Sequence, residues 1–348
     1  MSFNPPAEAR RRVSWVIVVV VAVVAAAVGV GATAAYFEVY PPSSTPSGSS
    51  NVALTDDLGR QVSVSPNPAR VVVLAPSIMD SMVRLGLRSH VVGVDCDNAF
   101  GGLSADYNAS QITQWTLTSA MCVDIAPSLN AEDLLNKTPE LMLASTLSPV
   151  GNLEEASITY HVPLVILAPS SVGGILVDVT LLGQLFSVTS TAAKLVALLE
   201  GALGLAQNVS TTLTNAGTVL PGVLLTYYAS PEGSQSPGYF TYGPGTFGQS
   251  LIELASGASI SAGAAIPYPE LSGSQVLADD PQVIVYGTGF GLTLSTYQAG
   301  PSWGSLPAVM NGQAFAIDSN YITEADPTMI LVGLPFLLHL LHPTLVPG

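Results

Sequence analysis

Residues 129–145 read LNAEDLLNKTPELMLAS, and residues 271–287 repeat the pattern as LSGSQVLADDPQVIVYG. Each copy begins with Leu and a polar residue suited to cap a helix, and continues through a short helical stretch with two adjacent apolar residues. Pro139 and Pro281 end these helices, because proline cannot continue the hydrogen-bond ladder. The apolar run that follows is typical of a strand buried on both faces. The repeat therefore predicts two similar α/β lobes.

Outside the repeats, strands and helices alternate, which predicts central sheets that are mostly parallel. In the first lobe, residues 52–171, the pattern predicts a hairpin at residues 57–64 and strands at residues 70–74, 91–94 and 163–167. A helix lies between the first two of these strands. We assign its start to a capping box formed by Ser77 and Asp80.

Residues 172–216 contain no proline and repeat apolar residues at helical spacing, so we predict helices that bridge the lobes, with a break near residues 187–190. The second lobe, residues 217–348, contains a helix capped by Thr246. Its predicted strands lie at residues 223–227, 283–286 and 314–317. The predicted fold is α/β: two lobes with central, mostly parallel sheets joined by a long interdomain helix.

The amino terminus predicts a membrane anchor. Residues 13–35 are an uncharged apolar run of 23 residues, which spans roughly 35 Å as a helix, enough for a bilayer core. Three arginines precede it, so the positive-inside rule places residues 1–12 in the cytoplasm and the later chain outside. A cleaved signal peptide is the alternative; the length of the run favours an uncleaved, single-pass anchor in the cell membrane. Residues 36–51, rich in Pro, Ser and Gly, predict a flexible linker to an extracytoplasmic domain.

Two cysteines and three sequons fit an extracytoplasmic location. Cys96 and Cys122 can pair in an oxidising compartment, and such a disulfide is worth on the order of 3 kcal/mol. Two buried free thiols are the alternative. Asn108, Asn136 and Asn208 each open an N-glycosylation sequon, which predicts a glycoprotein with these asparagines at its surface.

The net charge argues against nucleic acid as a partner. The chain carries a formal charge of −15 with only nine Lys and Arg residues, whereas nucleic-acid-binding domains present basic patches. Beyond residue 40, six basic residues stand against 22 acidic ones, so a strongly anionic ligand would find few countercharges. An excess of acids at a low total charge would also suit an acidic medium, in which carboxylates are protonated.

Catalytic motifs are missing from the sequence. It has no GxSxG, GxxxxGK[ST] or HExxH motif, and no GxGxxG follows a predicted strand. The four histidines lack the spacing of metal ligands, so we predict no metal site, no cofactor and no enzyme activity. The alternative is a surface-anchored hydrolase that uses the paired carboxylates of Asp95 and Asp97 in the cleft between the lobes.

Aromatic residues are concentrated in the second lobe. Six of them lie from Tyr227 to Phe247. Residues 243–245 and 287–289 are rich in glycine, which predicts that several of the aromatic residues lie in loops. Several follow a predicted strand, where open α/β sheets place their ligand crevice. Such side chains offer a large ligand a wide contact area; the alternative is that they fill the core or the lobe interface.

Six segments resemble the cobalamin and iron-siderophore class (class III) of periplasmic solute-binding proteins, which serve ABC importers. The resemblance spans about residues 52–343 and rests on DDLGRQVSVSPNPARVVVLAPS (56–77), LGLRSHVVGV (85–94), LNAEDLLNKTPELMLA (129–144), YGPGTFGQSLIELASG (242–257), YPELSGSQVLADDPQVIVYG (268–287) and LPAVMNGQAFAIDS (306–319). It implies two lobes joined by a rigid long helix, a ligand held between them, and an ABC permease as partner. We expect a monomer.

The resemblance also implies docking residues, because in that family a glutamate on each lobe binds arginines of the permease. The first-lobe position matches Glu132. The second-lobe position matches Ser274, where this sequence departs from the family. The alternatives are that Glu270, four residues earlier, substitutes for the missing glutamate, or that docking is asymmetric or weaker. Since helix N-termini favour acids, Glu132 can equally be a stabilising first-turn residue, worth roughly 0.3 to 1 kcal/mol.

Finally, the resemblance implies that the loops after the strands hold the ligand. The matching positions are Pro76, Ser77, Asp95, Asp97, Asn98, Ser145, Tyr227, Tyr228, Tyr239, Tyr242, Phe290, Trp303 and Tyr321. Relatives that bind anionic siderophores often present arginines to them, and this chain has few. We therefore favour a neutral, ring-rich metal chelate such as a cobalamin-like corrinoid over a ferric siderophore or haem.

Overall fold

A computed structural model describes residues 51–98, 102–125, 128–289 and 291–347 of the chain. The predicted cytoplasmic residues 1–12, the anchor at residues 13–35, all but the last residue of the linker at residues 36–51, and Phe290 lie outside the described residues. The described residues form two α/β lobes with parallel central strands, as the repeat predicts.

The first lobe alternates strands and helices along the chain. Its elements are β1 (Val52–Thr55), β2 (Gln61–Val64), β3 (Val71–Leu74), α1 (Pro76–Arg84), β4 (Val91–Cys96), α2 (Leu103–Asp106), α3 (Ala109–Gln114), β5 (Cys122–Asp124), α4 (Ala131–Asn136), β6 (Leu141–Ala144), α5 (Val150–Tyr160) and β7 (Leu164–Ile166). The first two strands form the predicted hairpin. The other five form a parallel sheet in the order β5-β4-β3-β6-β7. Because helices cover both faces of this sheet, every residue of β3 and β6 is buried.

Two helices connect the lobes, as predicted. They are α6 (Val172–Leu185), which Ser171 caps by accepting from the Gly174 N–H (3.2 Å), and α7 (Thr189–Asn215). Ser187, with φ of 57°, turns the chain between them. Within the described residues, α7 is the helix that is long and apolar enough to cross a membrane. Its Leu195, Leu199 and Val209 are buried in the core of the protein, whereas Leu198 and Leu205 are exposed.

The second lobe has a mixed sheet. Its elements are β8 (Gly222–Ala229), β9 (Tyr239–Thr241), α8 (Phe247–Leu254), β10 (Ala258–Ser259), β11 (Glu270–Leu271), α9 (Gly273–Asp279), β12 (Val283–Thr288), α10 (Leu294–Gln298), α11 (Pro307–Met310), β13 (Ala314–Asp318) and α12 (Leu334–Leu341). The sheet order is β11-β9-β8-β12-β13, with β10 beside the start of β8. The strands β8, β12 and β13 are parallel, whereas β9 and β11 add an antiparallel edge that the sequence pattern did not predict.

The two copies of the repeat form the same helix-strand unit. Asn130 caps α4 by accepting from the N–H groups of Glu132 (3.1 Å) and Asp133 (3.3 Å), and β6 follows. Ser272 caps α9 by accepting from the Gln275 N–H (3.2 Å), and β12 follows. These predicted caps are confirmed, because each side chain supplies an acceptor for a free N–H of the first helical turn.

The predicted capping box of Ser77 and Asp80 is wrong. Helix α1 begins earlier than expected, with Ala75 at the N-cap and Pro76 at its first position. Proline is favoured there because its missing N–H would have no helical partner. The Asp80 side chain is consequently free to bind Arg84 one turn later.

The same helix-strand unit places one leucine inside and the next outside. Leu134 is fully buried, whereas the adjacent Leu135 is 42% exposed. We expect Leu134→Ala to lower the free energy of unfolding by about 2 to 5 kcal/mol, because it leaves a cavity in the core. The matched control Leu135→Ala should change it by about 0.5 kcal/mol or less. Urea unfolding of the two purified variants checks this, and equal losses would contradict the packing described.

Candidate functional site

The carboxyl ends of the two sheets face each other. Asp318, the last residue of β13, accepts a hydrogen bond from Nδ2 of Asn108 in the first lobe (3.1 Å). Glu324 of the second lobe accepts hydrogen bonds from the hydroxyl and the backbone N–H of Ser77, which lies just beyond β3. Open α/β sheets bind ligands beyond the carboxyl ends of their strands. The space between the lobes at this edge, the cleft, is therefore the candidate site.

A buried ion pair joins the lobes next to the cleft. Arg84 donates to Oδ2 of Asp80 (2.7 Å) and to the Thr328 hydroxyl of the second lobe (2.5 Å), and this hydroxyl donates to Oδ1 of Asp80 (2.9 Å). Asp326, also buried, accepts from the Met329 N–H (2.9 Å). We call Asp80, Arg84, Asp326 and Thr328 the lobe junction. Arg84 is paired with Asp80 and not with Asp326, and burial raises the pKa of both carboxyls.

Three further carboxyls, Asp95, Asp106 and Glu324, form an acidic cluster at the cleft. Asp95, near the end of β4, is 5% exposed and accepts a hydrogen bond from the Tyr107 hydroxyl. Burial raises the pKa of Asp95 to about 8; the charges of Asp106 and Glu324 add to the rise, and the Tyr107 bond opposes it. Burial also raises the pKa of Asp106, with a contribution from Asp97, and the pKa of Glu324. Asp95 therefore keeps a proton at neutral pH.

Five rings of the second lobe pack into what we call the aromatic wall: Tyr227, Tyr228, Phe240, Tyr242 and Tyr268. The Tyr227 ring lies 5.0 Å from Tyr242 and 6.2 Å from both Phe240 and Tyr268, and Phe240 lies 5.6 Å from Tyr228. Tyr228 and Tyr268 are exposed, whereas Tyr242 is buried. Burial raises the pKa of Tyr242 well above its ordinary value, and the charge of Glu324 contributes to that rise. The wall thus adjoins the acidic cluster.

Basic side chains among the described residues are bound elsewhere, apart from Arg84 at the lobe junction. Arg60 pairs with Asp56 (2.6 Å) and Glu154 (2.7 Å) beside the hairpin. The remaining ones either donate to backbone carbonyls of the first lobe or lie exposed on α7: Arg70, Arg88, Lys137 and Lys194. An anionic group in the cleft would therefore meet acids without a free countercharge.

A GxGxxG sequence does follow a strand in the structure, contrary to our expectation. Residues 243–248 read GPGTFG, after β9 and at the start of α8. Two of its glycines are needed for packing: a Cβ on Gly248 would lie 2.2 Å from the Tyr242 ring, and one on Gly243 would lie 2.6 Å from the Ile266 carbonyl. The third, Gly245, has φ of 81°, a left-handed conformation that favours glycine. Packing and backbone conformation thus account for these glycines without a phosphate ligand.

Most of the predicted ligand-binding residues lie at the carboxyl ends of the strands. Ser77 binds Glu324, Asp95 belongs to the acidic cluster, and Tyr227, Tyr228 and Tyr242 belong to the aromatic wall. The others follow the ends of first-lobe and second-lobe strands: Pro76 follows β3, Asp97 follows β4, Ser145 follows β6 and Tyr321 follows β13. Phe290 lies outside the described residues.

Three predicted residues lie away from the cleft. Tyr239 is fully buried and Trp303 is 6% exposed, and both pack in a core cluster of the second lobe. The alternation of side chains along β9 buries Tyr239 and leaves Phe240 partly exposed. Contact of Tyr239 and Trp303 with a ligand stays a prediction that their burial does not favour. Asn98 lines a groove of about 730 Å³ beside the disulfide. That groove is formed by the first lobe alone, whereas a ligand held between the lobes must touch both.

Several residues at the site were not predicted. Asp106, Tyr107 and Glu324 reach the acidic cluster through tertiary contacts that no local pattern indicates. For Phe240, the alternation rule applied to a strand at residues 239–241 would have found it. Tyr268 faces Tyr242 because the backbone at Pro267 accepts from the Gly243 N–H (2.7 Å), a pairing that depends on the unpredicted edge of the sheet.

The proposed docking residues occupy equivalent places on the two lobes. Glu132 and Ser274 are both exposed, in the first turns of α4 and α9. The Asn130 N–H donates to the Asp124 carbonyl at the end of β5 (2.7 Å), so the start of α4 lies at the cleft edge. Glu270 accepts from the Ser236 hydroxyl (2.6 Å), and its other carboxylate oxygen is buried. Glu270 is therefore turned into its own lobe.

The disulfide and the sequons have different outcomes. Cys96 and Cys122 are bonded in the structure, with 5.5 Å between their Cα atoms, so the predicted pairing is confirmed. Asn136 and Asn208 are exposed on helices. Asn108 caps α3, and its Nδ2, the atom that a glycan would modify, donates to Asp318.

Comparisons with known proteins identify the family. A family model described as "Periplasmic binding protein" matches residues 71–321, and the chain belongs to this family. A cobalamin-binding protein of Halobacterium salinarum is 26% identical over 282 residues, which are 77% of this chain and 68% of that protein. The predicted resemblance to class III solute-binding proteins is confirmed. The family implies an extracytoplasmic soluble domain that binds a solute.

Solved structures agree with this fold. The molybdate-binding protein MolA of Haemophilus influenzae superposes with a TM-score of 0.69 at 17% identity, over 85% of this chain and 92% of that one. A periplasmic haem-binding protein of Pseudomonas aeruginosa gives 0.64 at 18% identity, over 80% and 94%. At this identity the likeness is one of fold alone.

The hydrolase alternative has no support. Asp95 and Asp97 lie two residues apart on the same side of the cleft, whereas two-carboxylate mechanisms place their groups on either side of a substrate. The homologues are solute-binding proteins.

The lobe junction predicts a pH dependence of stability. Burial and the neighbouring Asp80 raise the pKa of Asp326 in the folded protein, so the folded state keeps a proton that the unfolded chain loses above about pH 4. Stability should therefore fall as the pH rises from about 4 towards that raised pKa. We expect Asp326→Asn to raise the melting temperature at neutral pH and to leave it unchanged at about pH 4, because the amide carries no charge at either pH.

Calorimetry at the two pH values checks this prediction. The matched control is Asp279→Asn, which removes an exposed carboxylate from α9 and should leave the pH trend as in the parent protein. A melting temperature of Asp326→Asn that is lower than that of the parent at neutral pH would contradict the assignment.

Proposed function

We propose that this protein captures a metal chelate, most favourably a cobalamin-like corrinoid, in the cleft and delivers it to the permease of an ABC importer. Family membership supports solute binding. The aromatic wall beside the cleft is the observation that carries the choice of ligand. Among the described residues, Arg84 is the only cation next to the cleft, and it is already paired with Asp80.

The chemistry of the alternative ligands fits less well. Haem carries two propionates and many ferric siderophores carry carboxylates or phenolates, so each would bring negative charge to the acidic cluster. A corrinoid instead presents a large amide-rimmed ring, which tyrosine and phenylalanine can contact over a wide area while the tyrosine hydroxyls bind amides. The cobalamin-binding relative from Halobacterium salinarum supports the same choice.

We further propose that residues 13–35 anchor the protein in the membrane as a single pass, with residues 36–51 as a linker and a monomeric extracytoplasmic domain. The uncharged run and the arginines before it support the anchor, and the disulfide supports an oxidising location. Asn136 and Asn208 remain candidates for glycosylation. We leave Asn108 out, because its side chain joins the lobes.

The permease is proposed to bind the starts of α4 and α9, which are exposed on both lobes. Glu132 supplies the charge on the first lobe. On the second lobe the equivalent Ser274 supplies a hydroxyl, which lies 3.0 Å from that of Ser272. Since Glu270 is bound to Ser236, it does not replace the missing glutamate, and the docking is asymmetric.

Ligand choice is tested by calorimetric titration of the purified full-length protein with cyanocobalamin, haemin and a ferric hydroxamate. We expect the corrinoid to bind most tightly. Tyr268→Ala should weaken corrinoid binding by on the order of tenfold, because it removes an exposed ring of the aromatic wall. Ile266→Ala is the matched control, since Ile266 is 56% exposed and Tyr268 57%. Tighter binding of haemin or the hydroxamate, or no binding of any of them, would overturn the proposal.

Docking is tested separately from ligand binding. We expect Glu132→Ala to keep the corrinoid affinity and to lower uptake by cells that carry the importer, since this side chain is exposed in the first turn of α4. Asp133→Ala is the control, because it removes an acid from the same helical turn and costs the same dipole stabilisation, about 0.3 to 1 kcal/mol. Equal uptake by both variants would argue against docking through Glu132.

A further inference from the structure

We propose that the cleft binds a metal chelate with a net positive charge, and that the acidic cluster releases protons to solvent when this ligand enters. The inference rests on the proposed function and adds the charge of the ligand. It concerns Asp95, Asp106 and Glu324, which come from both lobes and meet at the cleft.

The first argument is the charge around the acidic cluster. Asp95 on β4 faces Asp106 and Tyr107 from the end of α2 and Glu324 from the second lobe, and Asp97 acts on Asp106. The lobe junction adds two further acids, Asp80 and Asp326, and the charge of Glu324 contributes to the raised pKa of Asp326. Among the described residues that act on these groups, Arg84 is the cation, and it is paired with Asp80. A cationic ligand would supply the missing countercharge.

The second argument is a polar atom of the aromatic wall that has no partner. The Tyr242 side chain is 4% exposed, and its hydroxyl makes no hydrogen bond to any described residue. Leaving such a group unpaired is unfavourable, because burial has removed its hydrogen bonds to water. The charge of Glu324 acts on this hydroxyl. A polar ligand group placed between the aromatic wall and the acidic cluster would bind both the Tyr242 hydroxyl and the Glu324 carboxyl.

The third argument is the aromatic wall itself. Cations are attracted to the faces of tyrosine and phenylalanine rings, and the attraction grows when water is excluded. Tyr227 is half-buried with three of the other rings around it, and Tyr268 leaves its ring exposed. Rings and carboxyls together favour a positively charged chelate over a neutral one of the same shape.

The protons follow from burial. Burial raises the pKa of Asp95 to about 8, so this group is largely protonated at neutral pH, and burial also raises the pKa of Glu324. A nearby positive charge favours the carboxylate and lowers both pKa values. Binding of a monovalent cation with loss of one proton leaves the charge of the complex equal to that of the empty protein. Affinity should therefore rise by up to about tenfold per pH unit for each proton released.

The test compares aquacobalamin, a monovalent cation, with cyanocobalamin, which is neutral and differs only in one axial ligand of the cobalt. Calorimetric titrations of the full-length protein at about pH 5 and about pH 7, each in two buffers of different ionisation enthalpy, give affinities and the number of protons released. We expect aquacobalamin to bind at least about tenfold more tightly than cyanocobalamin at the higher pH and to release about one proton.

Two variants and a control locate the effect. Asp95→Asn keeps an acceptor for the Tyr107 hydroxyl and Glu324→Gln changes a partly exposed residue, so at least one should fold. Each should weaken the binding of aquacobalamin more than that of cyanocobalamin, and each should reduce the proton release. Asp279→Asn makes the same change of net charge on α9, away from the cleft, and should have no effect.

The outcomes separate the two proposals. Equal binding of both corrinoids without proton release would overturn the charge inference and leave the corrinoid-binding function in place. A preference for aquacobalamin that survives in Asp95→Asn and Glu324→Gln would overturn the assignment to the acidic cluster. Absence of binding by either corrinoid would overturn the proposed function and the inference with it.

Discussion

The two lobes share one hydrophobic core, and the geometry of the cleft depends on it. Val73 of the first sheet, Leu182 of α6, Leu199 of α7, Val285 of the second sheet and Leu338 of α12 belong to a single buried cluster. Moving one lobe relative to the other would therefore expose apolar surface, at about 25 cal/mol for each Å². This continuity fits a cleft of nearly fixed width. Under the proposed function, the ligand would then be recognised by side chains already in place, chiefly those of the aromatic wall and the acidic cluster, and only slightly by closure of the lobes.

Within this frame, the protein carries buried acids that cations do not balance. Asp95 and Asp178 both have a pKa raised to about 8 by burial, and the lobe junction holds two buried carboxyls, of which Asp80 alone is paired with Arg84. Such groups avoid the cost of a buried charge by keeping a proton. The sequence has few Lys and Arg residues to pair with buried acids, and protonation of those acids makes such pairs unnecessary. An acidic medium, which the composition already suggested, would reduce this cost further.

Local patterns were enough for the fold and for part of the site. The repeat predicted both helix-strand units, with Asn130 and Ser272 as caps, because capping and burial on two faces leave their mark on neighbouring residues. The antiparallel edge was missed because β9 and β11 have only three and two residues. Tyr239 and Phe240 show the consequence for the site. Because no strand was predicted at these residues, the sequence did not indicate that the Tyr239 ring is buried and the Phe240 ring partly exposed. The link between Asp80 and Thr328 joins distant parts of the chain, and neither residue carries a local sign of the other.

The protonation of the acidic cluster explains how several carboxyls can lie close together at the cleft of a stable protein. Ionised carboxylates at that density would repel one another whenever the cleft is empty, which is the state in which the protein folds. Protonation removes this repulsion, and the Tyr107 hydroxyl supports the carboxylate form of Asp95 once a countercharge arrives. The same burial that raises the pKa of Asp95 also excludes water and so strengthens the attraction to a cation. Stability of the empty protein and affinity for a cationic ligand therefore do not conflict, because they involve two protonation states of the same side chains.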